Sequence, residues 1–179
     1  MAEAFSNSLT RAAGSVVTKT GSSVAAGSTE ITVTANSGIV VGQLIDNQHY
    51  IAGTKVDSID GTTINADRAS TNTSTATSQT VKFLGVTTAF TSPSSTKAIL
   101  IGGTFANNTN NQVSLTVNVS DNSSGISAAI ASKIPVPAGS SFVISDTGKT
   151  LLEGDDKIEV YCDTDNAIDI NLSILTGVN

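Results

Sequence analysis

The sequence predicts an all-β protein, a small β-module followed by an antiparallel β-sandwich. Three observations predict it. Period-two alternation of apolar and polar residues recurs along the chain, turn dipeptides separate the alternating runs, and helical spacing is almost absent. Residues 1–20 read as an N-terminal arm with a strand that could complete the sandwich. Residues 21–82 read as the small module and residues 83–179 as the sandwich. If the early strand does belong to the sandwich, the module is an insertion within it, which nearby chain ends make tolerable.

Taken in order, Leu9 to Thr20 holds a strand expected to end at Val17. Thr29 to Thr34 alternates Ile31 and Val33 against polar neighbours, as a half-buried strand does. Gly38 to Gly42 is a short apolar run between glycines, a further strand signal. Thr54 to Ile59 and Thr62 to Ala66 flank Asp60-Gly61, a dipeptide suited to the positive φ angles of a hairpin turn. Ser70 to Thr80 is rich in threonine without alternation and reads as a long loop or an exposed strand.

In the second half, Ala98 to Ile101 is continuously apolar, which suits a strand buried on both faces. Asn107 to Asn111 is a turn by composition. Val113, Leu115, Val117 and Val119 fall on one face of a strand. Gly125 to Lys133 contains three alanines and could be a helical turn or a strand edge, ended by Pro135 and Pro137. Ser141 to Ser145, Lys157 to Cys162 and Ala167 to Leu175 supply the remaining strands. Their spacing, with turn signals between, indicates a sandwich or barrel.

Composition narrows function by exclusion. Charged residues are only 13% of the chain, the net charge is −6, and there is no tryptophan. Nucleic acid needs Lys and Arg against its phosphates, so it is not an expected partner. No signal-peptide pattern and no run of about 18 apolar residues is present, so neither secretion nor a membrane is expected. Neutral polar surfaces built from Ser, Thr, Asn and Gly suit contacts made by hydrogen bonds rather than ion pairs.

Two segments carry a resemblance. Gly27 to Thr63 (GSTEITVTANSGIVVGQLIDNQHYIAGTKVDSIDGTT) resembles a small β-module of phage structural proteins. From Val86 onward, VTTAFTSPSSTKAILIGGTFANNT, then IPVPAGSSFVI, then KTLLEGDDKIEVYCDTDNAIDINLSIL is similar to small β-sandwich virion proteins of tailed bacteriophages, particularly cyanophages. The resemblance implies a virion location after assembly in the host cytoplasm. It implies a capsid decoration (cement) role, with the major capsid protein or other virion proteins as partners. Tail, neck or fibre association is the alternative role, and a carbohydrate- or receptor-binding β-module the alternative class. A homo-oligomer is expected, a trimer because capsids offer threefold positions, with Met1 to Asn7 as an arm ordered on docking.

No enzyme is expected, and no catalytic, cofactor or metal residues are assigned. His49, the only histidine, sits in a polar turn and is weighed against a switch or metal ligand in favour of a loop residue. The late carboxylates are Glu153, Asp155, Asp156, Glu159, Asp163, Asp165 and Asp169. Asp163, Asp165 and Asp169 could offer oxygen to calcium, but they lack the spacing, central Gly and closing Glu of an EF-hand. With aromatics at only 4% of the chain, a glycosidase pair is left without a sugar-stacking surface. Cys162, beside Tyr161 on an alternating strand, reads as a buried small apolar side chain rather than a reactive thiol. Asn122-Ser123-Ser124 is not read as a glycosylation site without a secretion signal. The Asn-rich turn and the Ser/Thr tract are candidates for contact loops, against plain solvent-facing loops.

Overall fold

A computed structural model describes residues 3–145 and 149–178, and among these the chain is all-β with no helix. It divides into two compact units, residues 1–14 with 87–179, and residues 15–86.

The first unit begins with β1 (Ala4–Ala13) and continues through β8 (Thr87–Thr91), β9 (Lys97–Asn107), β10 (Val113–Asp121), β11 (Ile126–Val136), β12 (Ser141–Ile144), β13 (Thr150–Leu152), β14 (Lys157–Cys162) and β15 (Ile168–Val178). One sheet runs β1-β15-β9-β12, with β13 also on β9, and the other runs β11-β10-β14-β8. All the pairs are antiparallel, and five of them nest like the rungs of one long folded hairpin. β10 pairs β11, β9 pairs β12 and β13, β8 pairs β14, and β1 pairs β15. Wrapping that hairpin into two sheets, with β15 against β9 and β10 against β14, is the strand order of a jelly roll. The two sheets share one core, including Leu100, Phe105, Ile170 and Leu172 from the first and Leu115, Val117, Ile158 and Val160 from the second.

Residues 4–7, expected within a docking-ordered arm, instead pair with Ser173 to Thr176 of β15; Met1 and Ala2 lie outside the described residues. The early strand does not run on to Val17. Gly14 interrupts it at a φ of 119°, and β2 starts at Val16. The alanine-rich stretch is strand β11, because its backbone is taken up by β10 and pairing overrides local helix propensity. On β9, Ala98 and Leu100 enter the core while Ile99 and Ile101 stay half-buried on the other face, so the strand is not buried on both sides. Gly103 permits close packing in mid-strand, because a Cβ there would stand 2.6 Å from Leu172 Cδ2.

The second unit holds β2 (Val16–Val24), β3 (Glu30–Thr32), β4 (Leu44–Asp46), β5 (Val56–Asp60), β6 (Thr63–Ala66) and β7 (Ala76–Leu84). They form one antiparallel sheet in the order β4-β7-β2-β3-β6-β5. Its two edges meet. Ile45 N–H donates to Thr54 O at 2.8 Å, Val56 N–H to Gln43 O at 2.9 Å, and Leu44 bridges Lys55. The sheet therefore closes into a small barrel, filled by Ile31, Ile45, Val56, Ile64, Val81 and Phe83. The β5–β6 hairpin turns on Gly61 and Thr62, with Asp60 paired to Thr63, one residue later than the Asp-Gly signal suggests. Gly38 to Gly42 is not a strand; Ile39 is buried while Val40 and Val41 are exposed. The Ser/Thr tract begins as loop and enters β7 at Ala76.

Candidate functional site

Three of the carboxylates singled out from the sequence, Asp156, Asp163 and Asp169, hold backbone in place. Asp156 is buried and accepts the N–H of Glu153 at 2.8 Å and of Asn122 at 3.0 Å. Asp163 accepts the N–H of Ser114 at 2.8 Å. Asp169 accepts the N–H of Ala12 at 2.9 Å, and this bond, with Asn108 and Arg11 nearby, holds its carboxyl below the usual range. Glu153 pairs with Lys97 at 3.3 Å, and Glu159 accepts from the Tyr161 hydroxyl at 3.2 Å. Asp155 occupies a turn at a φ of 68°, and Asp165 is exposed. Among the described residues no three acidic, histidine or cysteine side chains gather where one cation could reach them. Asp121, not singled out from sequence, accepts Ser123 and Ser124 in its own turn, and those bonds lower its pKa.

His49 is half-buried. Its N–H donates to Asn47 Oδ1 at 2.9 Å, its carbonyl accepts from Thr71 N–H at 2.8 Å, and its ring meets Gln48 at 3.3 Å. Cys162 is fully buried, and burial, then the charge of Asp163, pushes its thiol up to about 12. A thiol so placed is a poor nucleophile.

The Asn-rich turn splits between two roles. Asn107 is buried, and its amide faces the carbonyl oxygens of Asn111 at 2.7 Å, Val136 at 2.9 Å and Pro137 at 3.1 Å. Asn108 and Asn110 are exposed and, with Ala138 to Ser141, line an open cleft of about 580 Å³. Amides and hydroxyls border that cleft, and no aromatic ring does.

The most distinctive surface is the outward face of the β1-β15-β9 sheet. Directly paired residues project to the same side, so register places Phe5 beside Leu175, Leu175 beside Ile99, and Ile99 beside Leu151. This apolar row crosses the whole sheet, and Phe5 is 77% and Leu151 50% exposed. A second row sets Leu9, itself 72% exposed, beside Asn171, Thr104 and Val143. A shallow hollow of about 330 Å³ lies along it, bordered also by Arg11 and Asp169. Apolar side chains ringed by neutral polar ones are the composition of an interaction surface. Sequence reading missed this face, although the doubly apolar run at Ala98 to Ile101 was a signal of it. No family model, no curated protein sequence and no solved structure matches this chain.

Proposed function

We propose that the protein is a structural component of a tailed-phage virion, a decoration protein that binds the head lattice and reinforces it, with the small barrel carried as a module within the jelly-roll unit. The observation that carries the reading is the apolar row from Phe5 to Leu151 on the outward sheet face, exposed at both ends and half-buried at Leu175 and Ile99. Such a face is costly to leave in water, at about 25 cal/mol per Å² of apolar area, and docking against capsid subunits removes that cost. Jelly rolls are also an architecture of viral capsid proteins, an analogy of fold that supports the reading without assigning the role. The partners are the major capsid protein or neighbouring virion proteins, and further copies of the chain. Repetition over a lattice turns modest contacts into strong retention.

The test is to separate purified particles into heads and tails and locate the protein by mass spectrometry and immunogold labelling. Recovery with heads supports decoration. Recovery with tails alone rejects it and favours a tail, neck or fibre role. The neutral cleft beside Asn108 and Asn110 favours a second reading, glycan binding. A glycan array giving micromolar binding that is lost on Asn110→Ala supports it, and an empty array dismisses it.

A further inference from the structure

Open sheet edges are normally guarded by lysine, proline, bulges or shortness, because a bare row of N–H and C=O groups invites another strand. In the jelly-roll unit β11 is an edge that carries Lys133 and Pro135, and β8 is a short edge strand followed by Pro93. β1 is also an edge strand, paired among the described residues with β15 alone. From Ala4 to Thr10 it has no proline and no charge, and it ends in a bulge across Arg11 and Ala12, the latter at a φ of 56°. Phe5 and Leu9 stand exposed on its outward face.

The residues along that edge match their own reverse. Every second residue of an edge strand directs its backbone groups outward, so a second antiparallel copy must set odd positions opposite odd ones. Placing Asn7 opposite Asn7 sets Phe5 opposite Leu9 and Glu3 opposite Arg11, each pair twice about the two-fold axis. On the other face Ser6 meets Ser8 and Ala4 meets Thr10, all small enough to pass. The neighbouring registers are worse. Centring on Ser6 puts Glu3 against Leu9, and centring on Ser8 puts Phe5 against Arg11 and Asn7 against Leu9. Centring on Phe5 pairs only a few residues, and centring on Leu9 runs into the bulge and buried Ala13.

We propose that β1 is a self-recognition strand, pairing antiparallel with β1 of a second copy of this chain in the register centred on Asn7. The jelly-roll sheet then continues across the two-fold axis, and the apolar row ending at Phe5 continues onto Leu9 of the second copy. The contact is isologous and closes at two copies, not at the three expected from capsid threefold positions. It buries much less than the roughly 1,600 Å² of a standard interface, so the dimer is weak and dissociates in about the micromolar range. The proposal concerns the chain alone and stands or falls independently of capsid binding.

Sedimentation equilibrium of the whole chain from about 10 µM to about 1 mM tests it, together with charge exchange. Glu3→Arg and Arg11→Glu singly each weaken dimerisation about tenfold, since each sets like charges opposite one another twice. The double variant Glu3→Arg/Arg11→Glu returns to within about threefold of the parent. Asn7→Cys cross-links into a dimer under mild oxidation, whereas Phe5→Cys, whose opposite is Leu9, does not; buried Cys162 does not interfere. A monomer throughout, a trimer, a double variant as weak as the singles, or equal cross-linking at positions 5 and 7 each overturns the proposal.

Discussion

The side-chain amide of Asn107 donates to the main-chain carbonyl of Val136 at 2.9 Å, so one residue ties the end of β9 in one sheet to the end of β11 in the other. The same side chain accepts the N–H of Thr109 at 2.8 Å and shapes the turn that follows. It is 2% exposed, so water cannot take over these bonds when the side chain is removed. Asn107→Ala should cost about 3 kcal/mol, lowering the thermal midpoint of the jelly-roll unit by about 10 °C. Asn107→Asp should cost more, because a carboxylate would face three carbonyl oxygens. Calorimetry of the two variants checks both the size and the order.

Gly14 takes a φ of 119°, and a Cβ there would run into the carbonyl oxygen of Thr164. Backbone strain and collision act together at this position. Gly14→Ala should destabilise the jelly-roll unit by about 2–4 kcal/mol, read from the denaturant midpoint. Gly27→Ala is a control, since its positive φ of 56° has no atom within reach of a new Cβ. It should cost only about 1 kcal/mol.

Alkaline sensitivity follows from buried acids. Burial raises the Cys162 thiol from 9.0 to about 12, and burial raises Tyr50 from 10.0 to about 12. The folded state therefore holds these protons more tightly than the unfolded chain. The stability they contribute is complete below about pH 9 and is lost as pH rises towards about 12. Urea midpoints should fall over that window. Cys162→Ala should shift the onset in the jelly-roll unit upward, and an aromatic disulfide reagent should leave Cys162 untouched at pH 8 until denaturant is added.

Leu151 lies at the far end of the apolar row from Phe5 and is half exposed. Leu151→Lys should change folding stability by no more than about 0.5 kcal/mol. On the proposed reading as a head-binding protein, Leu151→Lys should weaken attachment to capsids at least about tenfold, measured by co-sedimentation. Unchanged binding would place the docking surface elsewhere.

Legibility in the sequence tracked how much of each strand faces the core. Val113, Leu115 and Val117 alternate with polar residues and are all buried, and so do Ile168, Ile170, Leu172 and Ile174. The first half of β1 was hidden because Ser6 and Ser8 face inward while Phe5 points to solvent, so only its end, from Leu9, read as a strand. Its pattern is inverted relative to a core strand, so a core-seeking reading sees an arm. β11 was ambiguous because alanine suits a helix and a poorly buried edge strand alike. Sheet order lay beyond local reading, since β1 meets β15 across nearly the whole chain. The surface row needed that register before Phe5 and Leu151 could be placed on one line.

The place of β15 between β1 and β9 also sets an order of events during synthesis. Every contact that closes the barrel, including Ile45 with Thr54, lies within residues 15–86, so that unit can be complete while the ribosome is still making the second half. The jelly roll cannot. Until β15 emerges, β1 waits for the strand it pairs with, and β9 is covered on one side only, by β12 and β13. Through most of translation the chain therefore carries β1 without its partner strand while the barrel is already complete. On a crowded polysome, nascent chains could find one another through β1 before any of them has finished folding.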